Sequence, residues 1–167
     1  PRLILLQSWA LIICARLDEA ESCVAELQHF LPQPDAHRQV QLLAHWQALT
    51  GVLRRQRGYR SAREHCLEAL NSLSPKAWSQ RALCHQTLAQ HALAQGMLDE
   101  AELHIGEGLR LSRLNGSLVF ETLLNLDRIH LLDMTGEAER ALELVRIPLD
   151  ERRVVLVADD GTQEHAH

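Results

Sequence analysis

Aromatic side chains make up only 4% of this 167-residue chain, and Val, Ile, Thr and aromatics seldom cluster. Strands draw on those residues, so their scarcity argues against a β-rich fold. No apolar run reaches 18 residues, the length a membrane-spanning helix needs. The opening LILLQSWALIIC is apolar, but Gln7 and Ser8 interrupt it and no basic segment precedes it, unlike a secretory leader. Positive charge is short as well: the formal net charge is −5, which does not provide the basic face that duplex nucleic acid requires. The four cysteines, Cys14, Cys23, Cys66 and Cys84, show no CxxC spacing and sit among apolar residues at helical intervals. They are expected to be reduced core residues of a cytoplasmic protein. The first residue is Pro rather than Met, so a fragment of a longer protein is expected.

What the chain does have is Leu, Ala and a repeated word. The segments ARLDEAESCVAEL and GMLDEAELHIGEGL place similar residues around Ala20 and Ala101, and weaker copies surround Ala62 and Ala141. These alanines stand 42, 39 and 40 residues apart, the near-constant period of a helical solenoid. Apolar or small residues follow the first three at i+4 and i+7, one face of a helix: Val24 and Leu27, Cys66 and Ala69, Ile105 and Gly108, while Ala141 and Val145 begin the stripe before Pro148 intervenes. Five residues before each Ala come Ala15, Arg57, Gly96 and Gly136, and the glycines suit a sharp helix end. Twelve before come Ser8, Thr50, Ala89 and Ile129, three of them small enough for close backbone approach.

Turn residues divide the pattern further. Asp35 after LPQP reads as an N-cap, Ser74–Pro75 as an N-cap with proline at the first helical position, and NGS at 115–117 as a stop and a start. The spacing predicts helices at about 2–15, 18–31, 36–57, 60–73, 75–95, 98–114, 117–135 and 137–147. They pair as about 1–33, 35–73, 75–114 and 117–147, each pair covering an apolar face its neighbour cannot bury alone. Residues 148–167 read as a tail or the start of a further, truncated element.

Helix pairs with Gly at one position and Ala five later resemble tetratricopeptide repeats, with longer helices and a period nearer 40. Together with the opening PRLILLQSWALIICARLDEAESCVAEL, residues 1–147 look similar to the superhelical sensor region of MalT-like regulators, the large ATP-dependent LuxR-family transcriptional activators. The resemblance implies an all-α, right-handed superhelix of about four antiparallel pairs. It implies a small-molecule inducer or a regulatory protein as partner, and oligomerisation as the response. ATP and DNA would be bound elsewhere, because this chain has no GxxxxGK[ST] loop and no recognisable helix-turn-helix. A free-standing adaptor that docks a peptide or protein is the alternative.

In a tetratricopeptide-like superhelix the first helix of each pair lines the groove. Counting back from the repeated Ala, groove positions are Gln47, Arg54, Gln86, Gln90, His130 and Asp133. Their amides suit a polar effector, and Arg54 suits a carboxylate or phosphate. Trp9 and Trp46 offer rings for stacking, against the simpler reading of inter-repeat packing. Arg54, Arg55, Arg57, Arg60 and Arg63 crowd the second hairpin, as an anionic docking patch or as cations favoured at a helix C-terminus. His65–Cys66 and Cys84–His85 are sequence neighbours that point different ways on a helix, and EHAH is not HExxH. No structural metal and no enzymatic activity are expected. The first helix, apolar on more than one side, is expected to pack on a preceding domain or to drive self-association.

Overall fold

The computed structural model describes residues 1–146; the expected tail at 148–167 lies outside them. The described residues form helices and turns only. The helices are α1 (Arg2–Ile13), α2 (Leu17–Gln28), α3 (Ala36–Gln56), α4 (Ala62–Ser72), α5 (Trp78–Ala94), α6 (Leu98–Leu114), α7 (Leu118–Met134) and α8 (138–146). Two predicted caps hold: Asp35 accepts from the Arg38 amide at 2.8 Å, and Ser117 accepts from the Phe120 amide at 3.4 Å. Ser74 does not cap α5. Ser74 to Ala77 closes a separate turn, and the helix starts three residues later than expected, at Trp78. Gln41 takes over this corner, accepting from the Ser74 amide and donating to the Ser72 carbonyl.

Five helix ends, those of α1, α3, α5, α6 and α7, close in the same way. Ala15, Gly58, Gly96, Gly116 and Gly136 all have positive φ. In each case the next amide donates to the carbonyl five residues back: Arg16 to Leu11, Tyr59 to Arg54, Met97 to Ala92, Ser117 to Ser112 and Glu137 to Leu132, at 2.8–2.9 Å. This closure satisfies carbonyls that the helix end leaves without partners. Ala15 does so without the freedom of glycine, at φ +56°. Ala15→Gly is therefore expected to stabilise the protein by about 0.5–1 kcal/mol, read as a rise in urea midpoint at unchanged slope.

The second hairpin departs from the others by one residue. From the positive-φ residue to the repeated Ala is five positions in the first, third and fourth pairs but four in the second, from Gly58 to Ala62. The Ala20, Ala101 and Ala141 amides consequently reach the carbonyl four residues back, at 3.0–3.1 Å, whereas Ala62 reaches only Tyr59, three back, at 3.4 Å. The residue matching Gly96 is thus Gly58, not Arg57. The residue matching Ser8 and Ala89 is Gly51, not Thr50. At Gly51 the backbone of α3 comes close to α4: a Cβ there would lie 2.5 Å from the Cys66 Sγ and 3.1 Å from the Ala62 carbonyl oxygen.

Stacking places the odd-numbered helices in one row, α1 on α3, α3 on α5 and α5 on α7, while α2, α4 and α6 lie further from one another, α4 reaching α6 through the Arg63–Glu100 ion pair. The apolar core has two parts. One runs from Trp9 and Leu27 through Leu49 and Cys66 to Leu88, and the other gathers Ala92, Ile105, Leu109 and Leu124. Helix α5 contributes to both, with Cys84 and Leu88 on one side and Ala89, Ala92 and Leu93 on the other. Cys66 and Cys84 are buried core residues, as expected, but Cys14 is exposed and Cys23 half-buried. Contact with the Cys66 thiol, and then burial, push the Cys84 thiol well above its ordinary pKa. No helix among the described residues is long and apolar enough to cross a membrane.

Candidate functional site: a polar line across the odd-numbered helices

The six groove residues expected from the sequence do not form one site. Gln86 and Gln90 on α5 come together with Asp127 on α7, a residue with no local signal in the sequence. Gln90 Nε2 donates to Asp127 Oδ1 at 3.3 Å. Burial pushes the Asp127 carboxyl above its usual pKa, opposed by the amides of Gln86 and Gln90 and by the nearby His130 and Arg55. Across the next helix boundary, Arg55 Nη2 on α3 donates to the Gln90 carbonyl at 3.3 Å. A line from Arg55 through Gln90 to Asp127 thus joins three successive odd-numbered helices. His130 and Asp133 are exposed further along α7.

Gln47 and Arg54 are not on this line. Gln47 donates to Glu68 and bonds His65, both on α4. Arg54 donates to Ser61 Oγ at 2.7 Å in the turn before α4. The cause is the shorter second turn. Measured from the positive-φ residue, the α3 position matching Gln86 is Ala48, and the position matching Asp133 is Arg55. Counting from the Ala instead moves each choice one residue, about 100° around the helix. Aligning on Gly58, Gly96 and Gly136 would have selected Arg55.

The line leaves hydrogen-bonding capacity unused. Arg55 Nε and Asp127 Oδ2 are both buried without a partner. Such groups cost stability, and a half-buried carboxylate whose hydrogen bonds come from neutral amides costs more than a solvated one. Folded structures often concentrate that kind of cost where they bind something.

The other expectations are resolved by position. The arginine cluster disperses: Arg54 to Ser61, Arg55 to Gln90, Arg57 to Asp18 and Glu21 on α2, and Arg63 to Glu100 on α6. Trp9 is buried in the core, whereas Trp46 lines a cavity beside α2. His85 turns from its neighbour Cys84 toward His104 on α6, with 3.1 Å between the two Nδ1 atoms. Among the described residues no three His, Cys, Asp or Glu side chains group so as to hold a metal ion. Comparison with protein-family models, curated proteins and solved structures finds no match.

Proposed function

We propose that this chain is a non-catalytic recognition module, the effector-sensing or regulator-binding region of a cytoplasmic MalT-like, LuxR-family transcriptional regulator. The observation that carries the reading is the polar line Arg55–Gln90–Asp127, which crosses consecutive repeats and keeps two buried polar atoms without partners. In this reading the pairs wind into a right-handed superhelix with the odd-numbered helices inside. A polar effector or a segment of a regulatory protein supplies the missing hydrogen bonds. It binds better to one spacing of the helix row than to another, and so shifts the population toward it. ATP and DNA are handled by other segments of the regulator. Self-association uses α1, whose Leu3, Leu6 and Ile13 are 81%, 66% and 73% exposed.

Asp127→Asn tests the reading. The carboxylate is disfavoured by burial, so its folded pKa lies above the unfolded one. That penalty is absent well below the ordinary carboxylate pKa of about 4 and grows as pH rises. Asp127→Asn is therefore expected to raise the melting temperature at pH 7, with the gain vanishing toward pH 3. It is also expected to lose its response to effector. A thermal-shift screen of sugars, sugar phosphates, amino acids and carboxylic acids should find compounds that stabilise the parent and not the variant. Equal stabilisation of both would remove the polar line from the binding site.

A further inference from the structure

We propose that the cavity between α2 and α3 binds a small carboxylate carried on a planar apolar body. This site lies on the side of α3 away from the polar line, and it does not depend on which larger protein the module serves. The cavity is a hollow open to solvent of about 420 Å³, within the roughly 300–1,000 Å³ of small-molecule sites. Val24 and Ala25 from α2, Trp46 and Leu53 from α3 and Tyr59 from the next turn give it an apolar wall, and Glu21, Gln28, Thr50 and Arg54 give it a polar one. The Trp46 indole is fixed, because its Nε1–H donates to the Val24 carbonyl at 3.2 Å and its ring meets His65 edge to face. With the polar edge engaged, what the ring offers a ligand is apolar surface.

One cation lines the same cavity. Arg54 donates to the Ser61 hydroxyl and forms no ion pair among the described residues. The one carboxylate in the lining, Glu21, is countered by Arg57 at 3.4 Å. A guanidinium held by a neutral hydroxyl, beside an apolar hollow with a fixed indole, matches a ligand whose carboxylate takes two of its N–H groups. The ligand's apolar body then fills the space beside Trp46 and Leu53.

The test is a titration of the ¹⁵N-labelled chain with indole-3-acetate, and with indole-3-acetamide and tryptamine as its neutral and cationic counterparts. The Trp46 indole N–H and the Ala25 and Leu53 amides are the reporters. Saturable shifts are expected with indole-3-acetate, binding at least tenfold weaker with the amide, and none with tryptamine. Arg54→Gln should lower indole-3-acetate affinity about tenfold, to the level of the amide. Ala25→Phe, which fills the cavity from an exposed position on α2, should abolish binding. Arg54 is exposed too, so both variants are expected to keep the parent circular dichroism spectrum. Shifts absent or confined to other residues, equal affinity for acid and amide, or binding that survives Ala25→Phe would overturn the proposal.

Discussion

Gly51→Ala is expected to destabilise the protein by about 2–3 kcal/mol, against the usual gain from replacing a helical glycine. The added methyl would stand 2.5 Å from the Cys66 Sγ and 3.1 Å from backbone atoms of Ala62 and Cys66. Two helices would have to separate, because backbone atoms cannot rotate away. Gly108→Ala provides the contrast. The atoms nearest its new Cβ would be those of the Leu124 side chain, from 2.9 Å. A leucine can change rotamer, and the helix gains roughly 1 kcal/mol from Ala over Gly. The net cost at Gly108 should stay below about 1 kcal/mol. Urea unfolding of both variants checks the order. Cys66→Ala removes the nearest clashing atom, so Gly51→Ala should cost less in that background by at least about 1 kcal/mol.

The second large effect is expected on acidification. His85 and His104 are both buried between α5 and α6, and their Nδ1 atoms are 3.1 Å apart. One Nδ1–H donates to the other ring's lone pair, so protonating both rings would set two N–H groups against each other. Burial first, and then His104, lowers the His85 pKa from 6.5 to about 4. Arg81 and Arg110 act in the same direction and Glu107 against it. Burial also lowers the His104 pKa, with Glu100 opposing and Arg63 reinforcing. The folded value of His85 lies below the unfolded one, so the unfolded chain takes up the proton first as pH falls. Its contribution is complete above about pH 6.5 and lost progressively toward pH 4, amounting to about 3 kcal/mol. Denaturant unfolding from pH 7.5 to 4 should show that loss. His85→Phe should flatten the slope over that interval, and NMR titration of the His85 ring should give a midpoint near 4.

Most of the architecture was legible because it rests on local chemistry. Gly96 and Gly136 mark helix ends through positive φ, Asp35 and Ser117 mark starts, and Ala101 with Ile105 marks a buried face. Ser74–Pro75 misled because the Ser74 hydroxyl bonds Lys76 within a separate turn. The site was less legible. The second turn closes with Gly58 in place of a residue one position earlier, and GYRSA gives no warning that it is one residue shorter than GMLDEA. That single residue rotated the choice on α3 from Arg55 to Arg54. Asp127 had no local signal, since an acid on a helix ordinarily faces water; only the packing of α7 on α5 buries it. His85 and His104 are 19 residues apart and meet only because a hairpin folds them together.

The central claim is that the turn at Gly58 sets the register in which Arg55, and not Arg54, joins the row that holds Asp127. The most direct test is the pKa of the Asp127 carboxyl, followed by ¹³C NMR in the parent, in Arg55→Gln and in Arg54→Gln. Arg55 favours the charged carboxylate, so its loss should raise the Asp127 pKa further, while Arg54→Gln should leave it where it is. A rise in Arg54→Gln with no change in Arg55→Gln would contradict the register and the site proposed on it.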